Sequence, residues 1–381
     1  MDFSLSDEHS MLKTEIGRFA ASELNVDIEQ RDEQSRFSRE LWDAAGAMRL
    51  QGLCVPESFG GVGLDALGTC VGLEALGHGC RDGGLVFAIC AHLLACTVPI
   101  WKHGSEELKA HYLPRLARGE LIAVNGMTEP GSGSDAFAMQ TRAVADGDDF
   151  VINGTKTFSS NGPIADLAVL YAVTDPDKAI GGITCFLVDT STPGFQAGQT
   201  FKKMGLRTCP IGELVLQDVR VPRDAVLGGV GGGGTVFAQS MEWERVCLVA
   251  AHVGTMQRLL ETAVAHARGR EAYGQSIGKF QAVSHRIADM KVRLEAARLL
   301  TYQSAWRLER SRESALDASM AKLFTSEALL ESALDTVRVL GGSGFMAESE
   351  VERTLRDAVG GTLYSGTNDI QRNIIASWLG L

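Results

Sequence analysis

The texture of the sequence changes twice, and those two changes limit the possible folds more than any single motif does. Up to about residue 120, apolar residues recur at helical spacing, interrupted by turns such as Val55-Pro56-Glu57-Ser58-Phe59-Gly60-Gly61. From there to about residue 225 they fall in short β-type runs: Phe150-Val151-Ile152, Leu167 to Val173, Ile183 to Val188 and Glu213 to Val221. Asn153-Gly154, Asp175-Pro176-Asp177 and Thr192-Pro193-Gly194 separate these runs as turns. Helical spacing then returns to the end: one long segment from Val236 to Ala267, a second marked by Val283, Ile287, Met290, Leu294 and Ala297, a third by Met320, Leu323, Ala328, Leu334 and Val337, and a short fourth from Asn368 to Trp378. Strands segregated from helices exclude an alternating α/β sheet. The expected class is α+β multidomain: a helical domain at 1–120, a middle β domain at 121–227 and a four-helix bundle at 228–381.

With 381 residues the chain is long enough for two or three domains. Ser6 before Asp7-Glu8 marks the first helix start. The opening residues Met1-Asp2-Phe3-Ser4 have no basic segment followed by an apolar one, so no secretion signal is read there. Gly84 to Trp101 carries no formal charge, but it holds His92 and Pro99 and is short for a span; it reads as a buried helix and not a membrane segment. A net charge of −11 argues against a nucleic-acid partner. The cysteines Cys54, Cys70, Cys80, Cys90, Cys96, Cys185, Cys209 and Cys247 show neither a CxxC pair nor clustering with His. That pattern fits reduced core thiols of a cytoplasmic protein, with no metal site.

Gly229 to Gly234 formally matches GxGxxG. It follows a Val-Pro-Arg-Asp turn instead of a buried parallel strand, so it reads as a flexible hinge rather than a dinucleotide site. Beyond it, Met241-Glu242-Trp243-Glu244-Arg245 opens the apolar-striped segment. Glu244 has two readings from the residues alone: a solvated acid in a helix's first turn, or a carboxylate turned into a desolvated pocket as a proton acceptor.

A set of motifs, in order along essentially the whole chain, resembles the acyl-CoA dehydrogenases. They are Pro56-Glu57-Ser58-Phe59-Gly60-Gly61; Met127-Thr128-Glu129-Pro130-Gly131-Ser132-Gly133-Ser134-Asp135; Ile152 to Gly162; Met204-Gly205-Leu206-Arg207; Arg270-Glu271-Ala272-Tyr273-Gly274 on to Gln281; Gly341-Gly342-Ser343-Gly344-Phe345; and Tyr364-Ser365-Gly366-Thr367-Asn368-Asp369-Ile370-Gln371-Arg372. The resemblance implies an FAD flavoprotein with a β-barrel-like middle domain, assembled as a homotetramer (a dimer of dimers). It places Met127, Thr128, Ser134, Phe158 and Ser160 along the flavin, with Thr367 and Asp369 also on the cofactor side. Arg270, Tyr273 and Gln281 would reach the FAD of a neighbouring protomer, and Gly341 and Gly342 would let backbone approach its pyrophosphate. Arg338 stands where the family usually has Gln.

The chemistry implied removes an α-proton from a thioester while a β-hydride passes to the flavin, which needs a carboxylate near the α-carbon. Most of the family carries it as the Glu of Tyr-Glu-Gly-Thr; here that residue is Ser365. A minority, including isovaleryl- and long-chain-type enzymes, places the base on the helix that opens the C-terminal domain, at the position of Glu244. The resemblance thereby favours Glu244 as the catalytic base and puts Ser365, Gly366, Arg245, Trp243 and His92 in the substrate pocket. Trp243-Glu244-Arg245, Leu206-Arg207-Thr208-Cys209-Pro210, Gly84-Leu85-Val86-Phe87-Ala88, Ala282-Val283-Ser284-His285-Arg286 and Tyr364-Ser365-Gly366-Thr367 are similar to the prolyl-carrier-protein dehydrogenases, which act on proline held as a thioester on a peptidyl carrier protein in pyrrole and antibiotic biosynthesis. Two other readings stay open: an enzyme of short or branched acyl-CoA, since CoA and carrier proteins share the pantetheine arm, and a relative that has lost the dehydrogenation. The electron acceptor is not specified by these residues.

Overall fold

The computed structural model describes residues 4–308, 310, 311 and 313–381; Met1–Phe3 of the acidic start lie outside them. Short polar side chains begin the N-terminal helices by accepting the first free amides. Ser6 caps α1 (Asp7–Glu23), α2 spans Ile28–Gln34, Ser38 caps α3 (Arg39–Ala47) and Asp65 caps α4 (Ala66–Gly79). Asp82 caps α5 (Gly83–Cys90), which runs through a π-helical segment, Ala91–Thr97, into α6 (Val98–His103). Pro99 lacks the amide a continuous α-ladder would need, and the wider turn precedes it. This Gly83–His103 helix is apolar enough to cross a membrane, but its most apolar window is 83% buried, as in a core helix. Ser105 caps α7 (Glu106–Ala117).

The middle of the chain forms one sheet from β1 (Ala123–Gly126), β2 (Arg142–Asp146), β3 (Asp149–Ser160), β4 (Leu167–Val173), β5 (Ile183–Asp189), β6 (Phe195–Thr200), β7 (Ile211–Pro222) and β8 (Val226–Leu227). The order is β6-β7-β3-β2-β4-β5-β8, with β1 added parallel to β4. Strand β4 is buried at every position because both its faces are covered. Leu167, Val169, Tyr171 and Val173 pack with Ala95, Cys96, Ile100 and Leu113 of the helical domain. Ala168, Leu170 and Ala172 face a core with Phe150, Phe186, Leu214 and Val219. Strands from β1 to β7 all give one face to this second core, so the sheet curves around it.

Helix α8 (Gly233–Gly269) follows, then the hairpin β9 (Glu271–Ala272) and β10 (Gln275–Ser276), α9 (Gln281–Leu308), α10 (Ser314–Leu340), α11 (Gly342–Phe345), α12 (Val351–Gly360) and α13 (Asn368–Trp378). The glycine tract before α8 is not the free hinge expected. Gly228, Gly229 and Gly231 take positive φ, and a Cβ at Gly233 would sit 2.8 Å from the Ile183 carbonyl oxygen. The glycines are a close-packed turn that lets α8 start against β5.

Helix α8 joins two cores. Trp243, Val246, Cys247, Leu248 and Ala251 belong to the core of α1, α4 and α5, whereas Val253, Met256, Leu260 and Ala263 belong to the bundle. Helix α10 departs from the apolar stripe read in the sequence. Its buried positions include Lys322, Thr325, Ser326, Ser332 and Thr336, while Met320, Leu323 and Leu334 are half-buried. Thr325 meets Thr301 of α9 and Ser326 meets Asn368 at the start of α13, so the face that packs inward is the more polar one.

Candidate active site

Because α8 begins at Gly233, Glu244 lies about three turns inside the helix, not on a solvated first turn. It is 7% exposed. Its Oε1 accepts a 2.6 Å hydrogen bond from the Ser365 hydroxyl, 121 residues later, and its Oε2 has no protein partner. Burial raises the Glu244 pKa above the ordinary carboxylate value, opposed by the Ser365 hydroxyl and by the charges of Arg245 and Lys322.

The loop presenting Ser365 is fixed from several sides. Ser365 has φ 57° and Gly366 φ 84°, both left-handed. A Cβ at Gly366 would come within 2.8 Å of Gln371 Nε2, so the turn needs glycine. Arg245 Nε donates to the Ser365 carbonyl at 3.1 Å, and Gln371 Nε2 donates to the Gly366 carbonyl at 2.9 Å. The preceding Tyr364 stacks on Phe87 with ring centres 4.5 Å apart, and its hydroxyl shares a 2.7 Å hydrogen bond with His252 Nε2. Burial lowers the His252 pKa to about 3, so that ring is neutral. Phe87, Cys90, Leu248, His252 and Tyr364 also line a cavity of about 50 Å³.

The residues expected along the flavin meet at the end of β3. Thr157 N–H donates to the Thr128 carbonyl at 2.9 Å. Lys156, fully buried, donates to the Met127 carbonyl at 3.2 Å and to Glu129 Oε1 at 2.8 Å. Phe158 leaves its ring 63% exposed on a left-handed backbone, while Ser160 still pairs with Ile211 and Ser134 is exposed in the loop. Asn161, next along, donates from Nδ2 to the Ala88 carbonyl at 3.1 Å, which sets the strand end against α5 beside Phe87. Phe87, Tyr364, Ser365 and Glu244 belong to one region, whereas the Phe158 ring packs on Phe201 with ring centres 5.4 Å apart.

The other expected cofactor residues lie elsewhere on the protomer. Arg270, Tyr273 and Gln281 are exposed around the β9–β10 hairpin, Tyr273 almost completely. Arg338 pairs with Asp335 at 3.2 Å. A Cβ at Gly341 or Gly342 would meet nothing within 4 Å. Thr367 caps α13 and Asp369 pairs with Arg372; with Glu327, Leu330 and Glu331 they line an open cavity of about 500 Å³.

Two expected pocket residues are placed differently. His92 is fully buried: its Nδ1 accepts from Ala123 N–H at 3.0 Å, its Nε2 donates to the Leu116 carbonyl at 3.1 Å, and Trp42 packs on its ring edge. It ties the π-helical segment to α7 and β1 and does not line the pocket; burial lowers its pKa to about 4. Trp243 packs edge-on against Trp101 in the core, with ring centres 5.6 Å apart, and supports the helix behind Glu244. Sequence reasoning passed over Lys322, Tyr364, His252, Gln371 and the Glu129–Lys156 pair. Several stood inside quoted motifs, but a motif does not say which side chains support others.

Three family models match in chain order: the acyl-CoA dehydrogenase N-terminal domain over residues 6–120, the middle domain over 125–219 and the C-terminal domain over 231–380. The chain belongs to the acyl-CoA dehydrogenase family. Within that family it is 42% identical over 381 residues, 100% of this chain and 99% of the relative, to an L-prolyl-[peptidyl-carrier protein] dehydrogenase of Serratia sp. (strain ATCC 39006). It is 43% identical over 384 residues, with full coverage of both chains, to a protein of the same description from Pseudomonas fluorescens Pf-5. Among solved structures, PigA with FAD and proline superposes with a TM-score of 0.97 at 42% identity, covering 100% of both chains. Membership makes the protein an oxidoreductase with the three-domain acyl-CoA dehydrogenase fold.

Proposed function

We propose that this acyl-CoA dehydrogenase family member is an FAD-dependent dehydrogenase of an L-prolyl thioester carried by a peptidyl carrier protein, with Glu244 as its α-proton base. The observation that carries the reading is the pair Glu244 and Ser365. The acid that accepts from Ser365, in the loop that usually supplies the base, comes from α8, and its other oxygen has no partner among the described residues. The names of the two relatives and the proline bound in PigA support the substrate.

The residues present fit the cofactor. An exposed Phe158 ring, the Thr128 carbonyl tied to Thr157 N–H, Met127 and Ser160 at the end of β3, and Ser134 in the exposed loop offer an apolar ring face and polar groups of the kind an isoalloxazine takes. An FAD held there would supply the acceptor for the β-hydride. Glu244 Oε2 takes the α-proton, and burial makes it a stronger base than an exposed carboxylate. Ser365 keeps Oε1 occupied, so the proton is directed to the other oxygen. Arg245 and Gln371 hold the Ser365–Gly366 backbone in place. Two two-electron oxidations, with the reduced flavin returned to its oxidised state by an external electron acceptor between them, would take the prolyl ring to a pyrrole-2-carboxyl thioester.

The same reading assigns Arg270, Tyr273, Gln281, Arg338, Gly341 and Gly342 to the cofactor of a neighbouring copy in a homotetramer. Their exposure supports this, as do Val292, Leu299 and Trp306, which stand exposed at seven-residue intervals along α9. All eight cysteines are buried, as suits the core thiols of a cytoplasmic enzyme. The test is anaerobic flavin bleaching with prolyl-carrier protein against short and branched acyl-CoAs. Bleaching by the prolyl thioester is expected; bleaching by the CoA esters alone contradicts the carrier-protein reading.

A further inference from the structure

Behind the Ser365 loop lies a lysine that the chemistry above does not use. Lys322 is 1% exposed in the middle of α10, and its Nζ donates to Asn368 Oδ1 at 2.7 Å. Ser326 Oγ donates to the same oxygen at 3.0 Å, and Asn368 Nδ2 faces Glu327 Oε1 at 3.4 Å. The Asn368 amide donates to the Thr362 carbonyl at 3.0 Å, which joins the two ends of the loop that carries Ser365. Among the described residues no carboxylate forms an ion pair with Lys322, so its ammonium is buried with a neutral amide as its hydrogen-bond partner. A buried charge without a contacting counter-ion is costly, which directs attention to what the charge acts on.

The groups around Glu244 answer this. On α8 its charged neighbours in sequence are Arg245 and, two residues back, Glu242, whose carboxylate accepts from Ser314. From α5 and the π-helical segment come the thiols Cys90 and Cys96, from β4 the phenol Tyr171, and from the loop Tyr364; burial raises the pKa of all four, so they are neutral. Two cations remain, Arg245 and Lys322. Arg245 already donates to the Ser365 carbonyl. Lys322 itself faces Arg245 and the neutral His252 of α8 and Glu327 of its own helix.

We propose that Lys322 is a positioning residue for Glu244: through Asn368 it fixes the loop presenting Ser365, whose hydroxyl holds Glu244 Oε1. The proposal rests on Glu244 being the base. Burial lowers the Lys322 pKa to about 7 and raises that of Glu244, and each group's charge opposes the shift of the other, as expected of a coupled pair.

The test compares wild type, Lys322→Gln, Lys322→Met and Lys322→Arg by the pH dependence of flavin reduction under kcat/KM conditions, with FAD content and Tm measured on each. Glu244 is also titrated directly in the protein by infrared difference spectroscopy of its carboxyl band, which Glu244→Gln identifies. Freeing the Ser365 hydroxyl and removing a nearby cation both raise the pKa of the carboxylate, so in Lys322→Gln the acid limb and the band's midpoint move up together by about one pH unit, roughly tenfold in rate on the limb. Lys322→Arg returns both toward wild type. A purely structural lysine would lower Tm and rate while leaving both midpoints in place, and that result in FAD-loaded Lys322→Gln overturns the proposal. Should Lys322→Met fail to fold, Lys322→Gln, which keeps a polar group for Asn368, decides the matter. Near-normal flavin reduction by Glu244→Gln overturns the base reading and this one together. An inactive Glu244→Gln beside an unmoved Lys322→Gln limb overturns this one alone.

Discussion

Two glutamates in this protein are buried to the same extent, each 7% exposed, and have opposite electrostatics. Glu129, in the loop after β1, has both oxygens occupied: Oε1 accepts from Lys156 Nζ at 2.8 Å and from Thr141 N–H at 2.9 Å, and Oε2 from Gln140 N–H at 2.6 Å. Burial alone would push its pKa up, but the lysine and the donors outweigh that and hold it below the ordinary value. Glu244 has one hydroxyl partner, one unpaired oxygen and no cation in contact, and burial prevails. The comparison shows that the number of donors, and not depth in the core, sets the direction of the pKa shift. Glu129 fixes the loop of Met127 and Thr128, whereas Glu244 keeps an oxygen available for chemistry.

The largest effect is expected from breaking the anchor. Lys156→Met leaves the Glu129 charge buried without its counter-ion, and losing one partner of such a pair costs about 3–5 kcal/mol. Denaturant unfolding measures this, and weaker FAD retention should accompany it. If Lys156→Met is as stable as wild type, the pair is not the anchor described.

Next comes a buried titratable group that is neither anchor nor base. His92 is held neutral with a pKa lowered to about 4, whereas in the unfolded chain it protonates near 6.5. A depressed pKa contributes stability above the unfolded value and loses it as pH falls toward the folded one. Stability should therefore drop below about pH 6.5, by roughly 3 kcal/mol in all from this group by pH 4. A His92→Asn variant should show a shallower acid limb in unfolding measured across that range.

The smallest effect is a movement along the pH axis. Ser365→Ala removes the hydroxyl that stabilises ionised Glu244, so the Glu244 pKa should rise further and the acid limb of kcat/KM should shift up by about one pH unit. An unchanged limb would mean that the hydroxyl does not act on the base.

How much of this could be read in the sequence varies element by element. Runs such as Leu167 to Val173 and Ile183 to Val188 were visible because both faces of these strands are buried over those residues. Strands β1, β2 and β6 were not read: β1 is four residues ending in Asn-Gly, β2 is largely exposed, and β6 is an edge strand with five of its six residues outside the core. The role favoured for Glu244 came from a serine far along the chain and not from its own neighbourhood. Its burial follows from α8 entering two cores, which periodicity within one helix does not reveal. Lys322 was invisible for a related reason. Helix α10 buries Ser, Thr and Lys side chains, and of the apolar stripe Met320, Leu323, Ala328, Leu334 and Val337 only Ala328 is buried. His92 was placed in the pocket because it stood beside motif residues; its two backbone hydrogen bonds show that it pins the domains together instead.

The central claim is that Glu244, and no other group, removes the α-proton. The direct test is Glu244→Gln followed through the reductive half-reaction with prolyl-carrier protein, since the amide keeps the shape of the side chain and removes the basic oxygen. The variant should retain FAD and reduce it about 10²-fold or more slowly than wild type at every pH. Flavin reduction at a near-normal rate would contradict the account.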